Sequence, residues 1–145
     1  MDDAYGLQRF VTAQDEAGTY AAALQELRDG RKRSHWMWFV FPQIAGLGQS
    51  ATSRRYAISS LGEARAYLAH PLLGARLVEC TRVLDEIDGP SAEEVFGGID
   101  AMKLRSSMTL FHRADPDNAL FGEVLDRYFG GEPDEATDRL LDAHG

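Results

Sequence analysis

Three groups of residues in this chain have types and spacings that could carry chemistry. Gly46-Leu47-Gly48 is followed by Ser50, Thr52, Ser53, Arg54 and Arg55. Glycines let backbone N–H groups approach an anion, a helix N-terminus adds a positive dipole end, and Arg54 or Arg55 supplies charge. The stretch lacks the Gly-Lys-Ser/Thr ending of a P-loop and follows no strand, so the plain alternative is a Gly turn, a Ser cap and two solvated arginines. The second group runs from Asp100 to Thr109. On a helix, Asp100, Lys103 and Ser107 share one side, with Ser106 alongside and Arg105 next to it in sequence. Ser106, Ser107 and Thr109 run against helix propensity, which points to a polar cavity; the alternative is an Asp cap, an Asp100–Lys103 ion pair and hydroxyls bonded back to their own helix. The third group is His35 with Trp36 and Trp38. The imidazole titrates near neutrality and can act as acid or base, and the indoles can stack on a ring. A histidine at the edge of a core that contains one or both indoles is the competing reading.

Metal and disulfide chemistry are not expected. No His-x3-His or His-Glu-x-x-His spacing occurs, and Cys80 is the single cysteine, so neither an internal disulfide nor a Cys-based zinc site can form. Cys80 falls on an apolar helical stripe, which predicts a buried, inert thiol. No cofactor is expected.

The elements that must position these groups read as helices. Leu7, Phe10 and Val11 mark one amphipathic helix, and Tyr20, Leu24 and Leu27 mark a second that Gly30 closes at its C′ position. Trp36 to Phe41 is apolar on every side, so periodicity leaves it open as a buried helix or a strand; between helices, a buried helical turn ended by Pro42 is the favoured reading. Ser50 or Ser53 caps a short helix, and Ser60-Leu61-Gly62-Glu63 and Ser91-Ala92-Glu93-Glu94 have capping-box spacing. Leu73, Leu77, Cys80, Leu84 and Ile87 recur at intervals of four and three, the pattern of a long helix on a core. Asp100 is placed as the cap of a helix through His112, Asp115-Pro116-Asp117 opens the next, and Pro133 opens a last one carrying Leu140 and Leu141. No segment alternates with period two, and no repeat or linker divides the chain. The expectation is an all-α fold, a single compact domain over residues 1–145 with about seven to nine short helices.

Charge narrows the partners. The chain carries a net −8, and the acidic excess lies after residue 55. A long nucleic acid is therefore not expected, although Arg31-Lys32-Arg33 and Arg54-Arg55 bracket the aromatic stretch and suit one small anion. The start of the chain has no apolar signal-like run, and the longest apolar run falls far short of the ~20 residues that span a bilayer. No membrane partner and a cytoplasmic location are expected.

Several long blocks resemble a known family. These are Leu7-Gln8-Arg9-Phe10-Val11, the stretch Ser34 to Gln43 with Gly46-Leu47-Gly48 and Ser50, Glu63 to Leu68 with His70-Pro71, Asp100 with Lys103 to Phe111, and Phe129-Gly130-Gly131 with Asp134 and Thr137. Together they are similar to the signature blocks of the bacterial domain-of-unknown-function family numbered 1810, across nearly the whole chain. The resemblance implies an all-helical fold and brings no activity with it. Some members bear the label calpastatin, a protease-inhibitor name; calpastatin itself is disordered, whereas this chain has the apolar content of a packed domain.

Two function classes follow. One is a small anionic or nucleotide-like ligand bound, or acted on, between the Ser34–Ser50 stretch and the Asp100–Thr109 helix, with His35, Trp36, Trp38, Gln43, Ser50, Arg54, Lys103, Arg105, Ser106 and Ser107 as candidate ligand-binding residues. The other is an interaction module that meets a protein partner through an exposed apolar or acidic face.

Overall fold

The computed structural model describes residues 3–87 and 89–144, the side chain of His144 excepted. Residues 1, 2, 88 and 145, which the single-domain expectation includes, lie outside the described residues. The helices are α1 (Gln8–Asp15), α2 (Thr19–Arg28), α3 (Met37–Val40), α4 (Ala51–Arg55), α5 (Leu61–Ala69), α6 (Leu73–Glu86), α7 (Ala92–Phe96), α8 (Gly98–Ala114), α9 (Ala119–Phe129) and α10 (Glu135–His144). A 3-10 turn, Glu16–Gly18, joins α1 to α2. The fold is all-α, as the periodicity predicts. Among the described residues the only strand-like pairing is one parallel bridge between Ile44 and Ile58, and no helix is long and apolar enough to cross a membrane.

Local chemistry explains most of the boundaries. Helix α2 ends in a Schellman turn, with Gly30 at φ 72°, its N–H on the Leu27 carbonyl and the Arg31 N–H on the Glu26 carbonyl. Ser50, Ser60 and Ser91 each accept a first-turn N–H. Ser91 and Glu94 complete a capping box, but Ser60 and Glu63 make only half of one. The Glu63 carboxylate turns instead to the N–H and hydroxyl of Ser59 and to Arg9. Two further caps differ from expectation. Helix α9 starts at Ala119 with Asn118 as its cap, later than the expected Asp115-Pro116-Asp117 opening, and α8 begins at Gly98, so Asp100 lies inside its first turn instead of capping it.

Helix α8 is the hub. It packs against α5, α7, α9 and α10, while α6 closes the core against α2, α5 and α9. The stripe Leu73, Leu77, Cys80 and Leu84 is buried on α6. Burial pushes the Cys80 thiol up to about 12, which makes it unreactive near neutral pH. Helix α6 meets α5 so closely that a Cβ at Gly74 would stand 2.0 Å from the Leu68 carbonyl oxygen.

Candidate functional site

The connector from Arg31 to Trp36 is shaped by one carboxylate. Glu26, near the end of α2, accepts the N–H of Arg33 (2.7 Å), the N–H and hydroxyl of Ser34 (2.9 and 2.6 Å) and the indole N–H of Trp36 (2.9 Å). Burial opposes its charge, but these four donors outweigh burial and hold its pKa at about 2. The same connector is docked on α7 by the Lys32 N–H, which donates to the Val95 carbonyl at 2.7 Å. Glu26 thus fixes Lys32 and His35 against the first turn of α8.

Three neighbouring hollows that share lining residues form a groove there. The first, about 400 Å³, lies between the connector and α8 and is lined by Lys32, His35, Trp38, Phe96, Asp100 and Lys103 among others. The second, about 290 Å³, shares Ile99 and Lys103 with it and adds Gln43, Leu47, Met102 and Ser106. The third, about 110 Å³, shares Trp38 with the first and Gln43 with the second, and reaches Arg54 and Tyr56. The combined space suits a small molecule.

Its polar centre is an ion cluster. Lys32 Nζ lies 2.9 Å from Asp100 Oδ2, and Lys103 Nζ lies 3.2 Å from Asp100 Oδ1. Lys103 also sits over the Trp38 ring, 4.4 Å from its centroid, and Lys32 over Trp36 at 5.1 Å. The Lys32 side chain is only 7% exposed. Burial raises the Asp100 pKa, yet the two lysines pull harder and leave it below the ordinary carboxylate value. Two ammoniums against one carboxylate give the cluster a net positive charge on an acidic protein. Beside it the Trp38 indole N–H is buried with no acceptor among the described residues, an arrangement native proteins rarely leave unexplained. Among the described residues no three His, Cys, Asp or Glu side chains gather as a metal cluster.

Of the residues singled out from sequence, His35, Trp38, Gln43 and Lys103 line the groove, with Arg54 and Ser106 at its margins. The others do different work. Trp36 is 1% exposed and spends its N–H on Glu26. Ser50 caps α4. Arg105 turns away to the Glu132 backbone and carboxylate. Ser107 is fully buried, its hydroxyl without a partner among the described residues. The single Ser106 hydroxyl proton is shared between the Met102 carbonyl and the Asp134 carboxylate, each 3.1 Å away, and Thr109 accepts the Asp134 N–H. The hydroxyls of Ser106 and Thr109 therefore clasp α8 to the start of α10, and Ser106 does so at the edge of the second hollow. The loop glycines also serve packing: a Cβ on Gly48 would meet Ser53 at 2.4 Å, and one on Gly46 would meet Leu140 at 3.0 Å. Sequence reasoning missed Ile99 as a groove residue, held Lys32 only as part of the basic run suited to a small anion, and gave Asp100 a capping role. The basic run around Lys32 was the available signal, but nothing local links it to Asp100.

Comparison with known proteins agrees with this fold. The chain is similar to the conserved hypothetical protein Rv1873 from Mycobacterium tuberculosis, whose crystal structure aligns with a TM-score of 0.93 at 54% identity over 97% of this chain and 99% of that one. No curated protein matches the chain. Residues 4–141 match the family described as "Protein of unknown function (DUF1810)", and the chain belongs to that family.

Proposed function

We propose that the groove between the Arg31–Trp38 segment and α8 binds a small anionic, nucleotide-like ligand. The observation that carries this reading is the Lys32–Asp100–Lys103 cluster beside the unpartnered Trp38 indole N–H. Lys103 and Lys32 supply positive charge, while His35 and Gln43 supply hydrogen-bonding groups along the same wall. The Trp38 N–H lacks an acceptor among the described residues but is shielded from solvent, so it reaches an acceptor on the ligand only if the ring or its cover shifts. The Trp38 face already carries the Lys103 ammonium, so a ligand ring reaches that face only if Lys103 moves toward the anion.

The test is a thermal-shift screen against nucleotides, sugar phosphates and ADP-ribose. A ligand at 100 times its Kd stabilises the native state by about 2.7 kcal/mol. A shift that Lys103→Ala abolishes while the variant stays folded supports the reading; no shift from any compound refutes it. A second reading, a protein-interaction face, draws on Ile99 and Met102. They are 76% and 71% exposed one helical turn apart at the groove rim. That reading is favoured if Ile99→Ser and Met102→Ser abolish capture of a partner without altering any small-molecule shift.

A further inference from the structure

Asp100 stands where a bound anion would be expected to stand. Its two oxygens each engage a different ammonium, Oδ2 with Lys32 and Oδ1 with Lys103, so the carboxylate fills the space between the only two lysines of the groove. An ammonium has three N–H donors. Lys32 commits one to Asp100 and one to the Ser34 carbonyl, and Lys103 commits one to Asp100. Both therefore keep donor capacity beyond these bonds. The first turn of α8 faces the same groove through Gly97, Gly98 and Ile99, and no side chain caps it.

We propose that Asp100 sets the charge threshold of the groove: a counter-ion built in between Lys32 and Lys103 that leaves enough positive field to hold a phosphomonoester dianion and too little to hold a monoanion. The inference rests on the reading of the groove as an anion site. Attraction scales with the ligand's charge multiplied by the net charge of the cluster. Two ammoniums and one carboxylate leave a net single positive charge. A phosphomonoester, with a charge of about −1.5 to −2 and three acceptor oxygens, gains about 1.5 to 2 times what a monoanion gains there. Removing the Asp100 charge doubles the net charge of the cluster. A monoanion should then bind the variant about as well as a dianion binds the native protein.

Matched probes test this by titration calorimetry: phenyl phosphate and its monoanionic methyl ester, against the native protein, Asp100→Asn and Lys103→Gln. The native protein should prefer phenyl phosphate by at least tenfold. Asp100→Asn should bind the methyl ester at least tenfold more tightly than the native protein does, and Lys103→Gln should lose both probes. Equal binding of the two probes to the native protein overturns the charge threshold and leaves the anion site standing, and it needs no variant to fold. A folded Asp100→Asn protein that gains nothing, or that loses binding, also overturns it. If neither probe binds any of the three proteins at millimolar concentration, the anion site falls and the inference falls with it.

Discussion

Replacing Glu26 with Gln should cost the protein about 3 kcal/mol at neutral pH, and that cost should shrink in acid. The Glu26 carboxylate accepts two backbone N–H groups, one hydroxyl and one indole N–H, and its residue is 8% exposed. Its pKa falls from 4.5 to about 2. At about 1.36 kcal/mol per pH unit, that fall corresponds to roughly 3 kcal/mol in favour of the native state. The folded-state pKa is depressed, so the contribution is fully present above the unfolded value of 4.5 and is lost as pH drops toward about 2. More than half of it should be gone by about pH 3. Urea denaturation of the native protein and Glu26→Gln at pH 7, 4 and 3 measures the difference directly, because the substituted amide does not titrate. A difference below about 0.5 kcal/mol at pH 7, or one that stays constant through acid, would refute the assignment of this carboxylate as the anchor of the connector carrying Lys32 and His35.

Two other substitutions probe the scaffold. Arg9 donates to the carbonyls of Tyr5, Gly6, Arg55 and Ala57 and to Glu63, which is 2% exposed. Arg9→Ala should therefore cost about 3 kcal/mol by stranding a buried carboxylate, and Arg9→Ala with Glu63→Gln should cost less than the sum of the two single changes in the same denaturation assay. Gly74→Ala would press a methyl group onto the Leu68 carbonyl oxygen at 2.0 Å. A loss of at least about 3 kcal/mol, or failure to fold, is expected, and a neutral effect on the melting temperature would mean that α5 and α6 are not so closely packed.

The parts of the fold legible in the sequence were those set by neighbours three or four positions away. Gly30 as a helix stop, Ser50 and Ser91 as caps, and the Leu73–Leu84 stripe all depend on local backbone geometry, which periodicity records. The candidate site was legible only as two stretches, because the forces that assemble it act between residues distant in the chain. Asp100 followed by Lys103 reads as a helix-surface ion pair until α8 is placed beside the connector that brings in Lys32. The hydroxyls of α8 conflict with local propensity, but their resolution lies in Asp134, which no spacing rule connects to Ser106 or Thr109. Trp36 and Trp38 are alike in sequence and opposite in role. One is tied to Glu26 inside the core, and the other lines the groove under Lys103. The side to which each indole turns is decided by the single turn of α3 and its docking, which composition does not encode.

That contrast supplies the most direct test of the groove as an anion site. In a 1H–15N spectrum the chain has two indole N–H signals, Trp36 and Trp38, which Trp38→Phe assigns. Titration with AMP should move the Trp38 signal saturably and leave the Trp36 signal, held by Glu26, in place; Lys103→Ala should remove the response. A Trp38 signal that stays fixed while the rest of the spectrum shifts elsewhere, or that moves identically without Lys103, would contradict the assignment of the groove as the binding site.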